Sequence, residues 1–260
     1  MKNVLILSYL HAANFGDRLG YHVLNSALPP HVDVTYGSLD PWNVREGKYD
    51  LLILGIGTSL LPIDVINPRL SALMDRIPSI GIFGTQYREL FSSGQAAAGL
   101  SALMAKLTTW WARYEEDLSL FGHLCRDPRH LGDWLITAFP MTHPTADRGI
   151  TVPPEIDKQT VALDRFIQSV QAHRAVESFR LHPLLCALTS AEEVAYHEQR
   201  DVPGGMPSGK FGSMLLDIFG RTYPEGKLFS VDRQAVVRYK AKVAQNIEAL
   251  KVQLFEMLRN

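Results

Sequence analysis

Apolar runs alternate with helical patterns through the first half of the chain, and this alternation constrains the fold more than any other feature. Residues 4–10 form a continuous apolar run, and further strands are predicted at 32–39, 49–56 and 79–83. A continuous apolar run is typical of a parallel strand that is buried on both faces. Helical patterns occupy residues 17–27, 68–75, 96–107 and 115–121, with another short strand at 108–113. The first half is therefore predicted to form an α/β fold, a doubly wound parallel sheet.

The second half predicts a smaller unit joined by a linker. Residues 140–154 are rich in Pro, Thr, Asp and Gly, which favours a connection between lobes. We therefore expect an N-terminal lobe at 1–140 and a C-terminal lobe at 141–260. Within the second lobe, helices are expected at 158–173, 183–189 and 232–258, strands at 174–181 and 193–197, and a mobile loop at 201–210.

Composition excludes several classes of function. The 260 residues carry a net charge of -1, which offers no field to nucleic acid. The two cysteines, Cys125 and Cys186, lie in no metal-binding motif, so we expect neither zinc nor a disulfide, and a cytoplasmic location. The first apolar run is too short for a signal peptide, and no run approaches the ~20 residues that span a bilayer. Any membrane contact is expected to be peripheral.

The segment Arg180-Leu181-His182-Pro183 is the strongest candidate for a binding site. In a strand ending there, Arg180 and His182 share one face and Leu181 points into the core. Pro183 suits the first position of a following helix, which leaves the N–H of Leu184 free at a positive dipole end. An Arg fork, an imidazole and a helix start would then bind a phosphate or carboxylate. The alternative is a surface arginine beside a helix-capping histidine.

A second candidate, Asn14-Phe15-Gly16-Asp17, follows the first predicted strand. Ligands bind at the carboxyl ends of strands in open α/β sheets. Gly16 permits close backbone approach, and Asn14 and Asp17 are able to bind sugar hydroxyls, with Asp17 as a candidate base. The alternative is that Asp17 is a helix N-cap and Asn14 a turn residue.

Weaker candidates end other strands. Gly57-Thr58 and Gly84-Thr85 follow neighbouring apolar runs, without a dinucleotide or Walker A fingerprint. Arg113 follows the strand at 108–113, and Asp133 lies in a Gly-Asp turn, where it either orients Arg113 or simply forms the turn. Lys210 follows a Gly- and Pro-rich loop and is a candidate cation of a lid formed by that loop, but a solvated loop lysine is the preferred interpretation.

Taken in order, these motifs resemble those of the polysaccharide pyruvyl transferase family. Asn14-Phe15-Gly16-Asp17 and Arg180-Leu181-His182 are the most specific pair, and the resemblance covers about residues 3 to 200. Arg113 followed by Tyr-Glu-Glu, and Pro183 after the histidine, depart from the family pattern. The second lobe is also short.

The resemblance implies two Rossmann-like lobes facing a cleft, a glycosyltransferase-B-like fold with a reduced second lobe. It implies phosphoenolpyruvate as the donor, bound in the C-terminal lobe, and no metal or redox cofactor. The acceptor is expected to be a sugar of a bacterial surface polysaccharide or its lipid-linked precursor, bound by the N-terminal lobe at the inner face of the membrane. The product is a pyruvate ketal.

The resemblance places the residues in roles. His182 is expected to act as the acid because its ordinary pKa is near neutrality, and Asp17 as the base. Donor contacts are expected from Arg180, Arg113, Leu181 and Leu184. Acceptor or cleft contacts are expected from Asn14, Gly16, Gly57, Thr58, Gly84, Thr85 and Asp133. Two alternatives stay open: a nucleotide-sugar-dependent glycosyltransferase of similar fold, and a non-catalytic relative that binds a glycan or a partner.

Overall fold

The protein is described by a computed structural model in which residues 1–10, 14–153, 162–202 and 204–259 are placed. Residues 11–13, between the first predicted strand and Asn14, lie outside these residues. So do the start of the helix expected at 158–173, the end of the linker at Pro154 and one residue of the loop at 201–210, Pro203.

The first half forms a six-stranded sheet whose pairings are all parallel. Its strands are β1 (Lys2–Ser8), β2 (Val32–Ser38), β3 (Leu51–Leu60), β4 (Ser79–Thr85), β5 (Leu107–Ala112) and β6 (Pro128–His130). They lie in the order β2-β1-β3-β4-β5-β6. The α/β fold and the parallel, Rossmann-like sheet predicted from the apolar runs are confirmed. The strand order reverses between β1 and β3, which creates a crevice at their carboxyl ends.

Helices cover both faces of this sheet. They are α1 (Phe15–Ala27), α2 (Pro62–Val65), α3 (Pro68–Met74), α4 (Gly94–Lys106) and α5 (Glu115–Phe121). One hydrophobic cluster packs α3 and α4 against one face, with Leu70 and Leu103 buried. A second cluster packs α1 against the other face through Phe15 and Leu19 and continues into the C-terminal half.

The C-terminal half forms a four-stranded sheet in the order β10-β9-β8-β7. Its strands are β7 (Ala146–Val152), β8 (His173–Ser178), β9 (Glu193–Tyr196) and β10 (Phe229–Ser230). Strands β7, β8 and β9 are parallel, and β10 is antiparallel to β9. Its helices are α6 (Leu163–Gln171), α7 (Leu181–Ala187), α8 (Lys210–Phe219) and α9 (Arg233–Arg259). No helix among the described residues is long and apolar enough to cross a membrane.

One sequence expectation for this half is wrong, and one helix was not predicted. Strand β7 occupies about half of the segment interpreted as a linker, and α8 begins at Lys210, the last residue of the segment interpreted as a loop. Strand β7 is an edge strand with mostly exposed side chains, so it lacks the apolar run that identifies the inner strands. The helix α8 has buried residues Phe211, Met214, Leu215 and Ile218 at helical spacing.

The last helix, α9, returns to the first sheet. Trp111 donates its indole N–H to Gln253 at 2.8 Å, and Gln253 donates to Thr109 at 2.5 Å. Leu250 and Leu254 are fully buried in the cluster that contains α1. The helix therefore ties the C-terminal half to the N-terminal sheet.

This packing predicts unequal costs for two substitutions on α9. Leu254→Ala is expected to lower the free energy of unfolding by about 2–5 kcal/mol, because Leu254 is 0% exposed and leaves a cavity. Val252→Ala, at a side chain that is 59% exposed, is expected to cost less than about 0.5 kcal/mol. Urea denaturation measures both, and equal costs would contradict the packing of α9 against the first sheet.

Candidate functional site

A polar cavity of about 380 Å³ opens at the carboxyl ends of β1 and β3, where the strand order reverses. The predicted residues that line it are Asn14, Asp17, Thr58, Arg113, Arg180, Leu181 and His182. A second cavity, of about 480 Å³, lies at the amino ends of β1 and β2 and contains none of the predicted residues. The first cavity is the candidate site because it brings together the predicted residues from both halves of the chain.

Asn14 and Asp17 lock the start of α1. The side-chain oxygen of Asn14 accepts the Asp17 N–H at 2.9 Å, and the Asn14 amide donates to the Asp17 carboxylate. Asn14 is thus the N-cap and Asp17 occupies the first turn, the reverse of the capping role considered for Asp17. Both side chains also face the cavity. The capping contact and the functional position are therefore compatible.

Gly16 is one of the points at which the two halves touch. A Cβ atom at this position would lie 1.7 Å from His182 Nδ1 and 2.2 Å from His182 Cε1. The expectation that Gly16 allows a close approach is met by the His182 ring, which packs directly on the first turn of α1. Asn-x-Gly-Asp and Arg-Leu-His are therefore two parts of one contact.

The segment at Arg180 differs from its predicted geometry. Strand β8 ends at Ser178, and α7 starts at Leu181 with Arg180 as its N-cap residue. Arg180 and His182 both line the cavity, but from the start of a helix rather than from one face of a strand. Ser178 holds the turn, since its hydroxyl accepts the Arg180 N–H and donates to the Arg180 carbonyl.

The helix start also changes two neighbouring residues. Pro183 is the third helical residue rather than the first, where its lack of an N–H still costs no hydrogen bond. The Leu184 N–H donates to the Arg180 carbonyl at 3.2 Å, and the Leu184 side chain is fully buried. The prediction of a free Leu184 N–H for the donor is therefore wrong. Leu181, at 4% exposed, supplies mainly an apolar wall.

Arg113 connects Asp133 to His182. The guanidinium donates to Asp133 Oδ2 at 3.0 Å from Nε and at 2.5 Å from Nη2. Nη2 also lies 2.6 Å from His182 Nε2. Arg113 and Asp133 are 3% and 1% exposed, so Asp133 orients Arg113 instead of lining the cavity. The Asp133 N–H in turn donates to the Tyr239 hydroxyl of α9.

The charges around His182 change its expected protonation. Burial lowers the pKa of the His182 ring well below its ordinary value, and the positive charges of Arg113 and Lys210 lower it further. A guanidinium only donates hydrogen bonds, so Nε2 accepts from Arg113 and Nδ1 carries the proton. The ring is thus neutral at neutral pH in the empty cavity. The near-neutral pKa expected from the sequence is wrong for this environment.

A β-bulge shapes the wall formed by β3. Gly55 and Gly57 have φ angles of 87° and 85°, in the region that favours glycine, and the register with β4 shifts between Leu54 and Thr58. A Cβ at Gly57 would lie 2.5 Å from the Trp134 indole nitrogen, so Gly57 serves packing and does not line the cavity. After the bulge, Thr58 and the adjacent Ser59 line the cavity. The Ser59 hydroxyl has no partner among the described residues.

Gly84 and Thr85 do not line the cavity. Thr85 is fully buried, and its hydroxyl donates to the Asp117 carboxylate at 2.5 Å. Arg88 donates to the same carboxylate at 2.9 Å. A Cβ at Gly84 would lie 3.0 Å from Asp117 Oδ2. The end of β4 therefore holds a buried ionic network, and Gln86, two residues beyond Gly84, is the residue that reaches the cavity.

Lys210 is the functional residue that sequence reasoning set aside. It begins α8 and lines the cavity with Arg113, Arg180 and His182. Burial lowers its pKa to about 8, and the positive charge of Arg113 adds to this effect. The helical spacing of apolar residues after Lys210 was the available signal that it starts a helix. The tyrosine at position 9 also lines the cavity, where its hydroxyl donates to Asp64.

The cavity lining therefore combines two kinds of group. Arg113, Arg180 and Lys210 provide positive charge. Hydroxyl, amide and carboxylate groups come from Asn14, Asp17, Thr58, Ser59 and Gln86. Such an arrangement is able to bind an anion beside a polyhydroxyl compound.

No protein-family model matches this chain, and no curated protein matches it at a significant level.

The contact between Gly16 and His182 predicts a coupled pair of substitutions. Gly16→Ala is expected to lower the free energy of unfolding by about 1–3 kcal/mol, because its Cβ overlaps the His182 ring. In a His182→Ala background the same substitution is expected to be neutral or to stabilise by up to ~1 kcal/mol, since alanine favours helix.

A double-mutant cycle by urea denaturation measures this coupling. Gly212→Ala, at a helical glycine whose Cβ would meet nothing within 4 Å, is the control for helix propensity. An equal cost of Gly16→Ala in both backgrounds would contradict the contact.

Proposed function

We propose that the chain is a pyruvyl transferase, related to the polysaccharide pyruvyl transferase family and arranged as two Rossmann-like lobes in a glycosyltransferase-B-like manner. One observation carries the proposal. The two most specific motifs of the resemblance, far apart in the chain, line one cavity and touch through Gly16 and His182. The position of this cavity at the strand-order reversal, where α/β proteins bind ligands, adds support.

The basic residues of the cavity lining suit phosphoenolpyruvate as the donor. This compound carries a phosphate and a carboxylate on a compact three-carbon skeleton. Arg113, Arg180 and Lys210 supply three cations for these two groups. Because Asp133 already neutralises part of the Arg113 charge and fixes its orientation, Arg180 and Lys210 are assigned the larger share of anion binding.

The polar residues of the cavity lining suit a sugar acceptor. Asn14, Thr58 and Ser59 offer amide and hydroxyl groups that bind sugar hydroxyls in either direction. Asp17 is the carboxylate assigned to accept a hydroxyl proton. The acceptor class is a sugar of a bacterial surface polysaccharide or its lipid-linked precursor, which the enzyme meets in the cytoplasm at the inner face of the membrane.

The reaction proceeds by addition and elimination at C2 of the donor. A proton adds to the methylene carbon, which becomes a methyl group and leaves cationic character at C2. A sugar hydroxyl adds to C2 and loses its proton to Asp17. The bond between C2 and the phosphate oxygen then breaks, and phosphate leaves. A second hydroxyl of the same sugar adds to C2 and loses its proton to His182, which is neutral after protonating the methylene carbon, while Asp17 gives its proton to the departing phosphate. This step closes the pyruvate ketal.

We assign His182 as the acid. Its ring becomes protonated when the donor binds. In the empty cavity the ring is neutral because of burial and the nearby cations. A bound phosphate and carboxylate offset the charges of Arg113 and Lys210 and accept the Arg113 N–H that otherwise bonds Nε2, so the pKa of His182 rises when the donor binds. The acid is thus formed only in the complex.

Phosphate release and pyruvyl transfer test the proposed function. Incubation with phosphoenolpyruvate and a panel of sugar acceptors is expected to release phosphate and to add a pyruvyl group, detected by mass spectrometry. Arg180→Ala is expected to reduce kcat/KM at least about a hundredfold, because it removes a charge-assisted contact to the donor.

Arg174→Ala provides the matched control. Arg174 pairs with Asp147 and Glu192 at the surface and does not line the cavity, so its loss is expected to leave transfer unchanged. Absence of transfer with every acceptor, together with full binding of a glycan by the Arg180→Ala variant, would favour a non-catalytic glycan-binding protein.

The pKa of Lys210 predicts how donor binding depends on pH. Because this pKa is about 8 in the empty cavity, the ammonium form predominates below pH 8 and is lost above it. Affinity for phosphoenolpyruvate is therefore expected to fall as the pH rises through about 8. Calorimetry in buffers of different ionisation enthalpy is expected to show proton uptake on binding near pH 8. Lys210→Arg, whose charge does not titrate there, is expected to remove the step in affinity. A step retained in Lys210→Arg would assign it to another group.

A further inference from the structure

Glu198 occupies an unusual position at the start of α8. Its carboxylate accepts four hydrogen bonds, two from the residues just before this helix and two from its first turn. They come from the Ser208 hydroxyl at 2.7 Å and from the N–H groups of Gly209, Phe211 and Gly212 at 3.1, 3.1 and 3.2 Å. A carboxylate at a helix N-terminus is favoured by the helix dipole and by the unpaired N–H groups. Glu198 thus determines where the first residue of α8 points.

That first residue is Lys210. Its backbone N–H contacts Ser208 Oγ, the same hydroxyl that donates to Glu198, and its side chain lines the cavity. Gly209, immediately before it, has a φ of 76°, which lets the chain turn sharply into the helix. Glu198 and Lys210 are therefore linked through the backbone of one turn.

A second anchor fixes the other side of α8. Arg88 donates to the Ser213 hydroxyl at 2.8 Å and to Glu116 at 3.0 Å. Ser213 also donates to Glu116 at 2.6 Å. These contacts join α8 to the N-terminal sheet through Ser213, whose hydroxyl also donates to the Gly209 carbonyl at 2.8 Å, so Arg88 and Glu198 hold the first turn from two sides.

We propose that Glu198 is a positioning residue, which holds Lys210 in the cavity by binding the first turn of α8 and so sets the affinity of the anion site. This inference rests on the anion site of the proposed function. Glu198 has no place among the cavity-lining residues and acts through Lys210.

The direction in which the pKa of Lys210 shifts when Glu198 is removed tests the proposal. Arg113 and Arg180 lower the pKa of Lys210, and Glu198 and Asp201 raise it, while burial is the largest cause of its low value. His182 and Asp17 line the same cavity. If Glu198 acted only through its charge, its removal would lower the pKa of Lys210 below about 8. If it positions Lys210, its removal releases the side chain to solvent, and the pKa rises toward the ordinary value of about 10.4.

The experiment is an NMR titration of the full chain with ¹³Cε-labelled lysine, in which the Lys210 signal is assigned with Lys210→Arg. Glu198→Gln is expected to raise the pKa of Lys210 above about 8. Asp201→Asn removes a nearby negative charge without a contact to α8, and it is expected to lower the same pKa. Glu248→Gln is the neutral control, since Glu248 pairs with Lys251 on α9 and does not line the cavity.

Two further measurements test what the loss of the Glu198 contacts does to α8 and to anion binding. Amide hydrogen exchange at Phe211 and Gly212 is expected to be faster in Glu198→Gln, while exchange at the C-terminal end of α8 is unchanged. Calorimetry at pH 6.5, where Lys210 is charged in every variant, is expected to show about tenfold weaker binding of inorganic phosphate and phosphoenolpyruvate. Circular dichroism checks folding, and Ser208→Ala is the milder variant if Glu198→Gln does not fold.

An unchanged or lowered pKa of Lys210 in Glu198→Gln, with unchanged exchange, would overturn the positioning role. If the wild type binds neither anion, the proposed function and the effect on affinity both fail, whereas the titration and the exchange data still decide whether Glu198 positions Lys210. The two failures are therefore distinguishable.

Discussion

The packing of the His182 ring on the backbone of Gly16 is the contact on which the site depends. It needs a residue without a side chain in the first turn of α1 and a histidine in the first turn of α7, elements that belong to different sheets. The contact is fixed on the far side by Arg113, which binds His182 Nε2 while Asp133 holds its guanidinium. Since Asp133 is itself tied to α9 through Tyr239, the last helix, both sheets and the cavity form one connected structure.

Buried charge gives this structure its chemical character. Arg113, Lys210 and His182 lie close together. Because burial and mutual repulsion disfavour their charged forms, the imidazole of His182 is neutral and the pKa of Lys210 is lowered to about 8. A site of this kind stores unfavourable electrostatic energy that an anion relieves on binding. In the proposed reaction, binding of the anion raises the pKa of His182, so the ring takes up a proton. The acid therefore forms when the anion binds.

Sequence reasoning predicted the inner strands because burial on both faces leaves a continuous apolar run. It missed β7, an exposed edge strand whose Gly and Thr residues are typical of a linker. It placed Arg180 and His182 together, yet derived this from strand alternation when the reason is a helix that starts at Leu181. The Thr85–Asp117 pair and the burial of Lys210 depend on long-range packing, and no local pattern indicates such contacts. Motif residues were thus easier to predict than their protonation.

The central claim is that the cavity binds phosphoenolpyruvate, and competition between two ligand classes tests it most directly. Equilibrium binding is measured for phosphoenolpyruvate and for nucleotide diphosphate sugars on the same preparation of the wild-type protein. Phosphoenolpyruvate is expected to bind, Arg180→Ala is expected to weaken this binding, and no nucleotide sugar is expected to displace it. Binding of a nucleotide sugar that depends on Arg180 and His182, with no binding of phosphoenolpyruvate, would contradict the proposed function and assign the cavity to a glycosyltransferase.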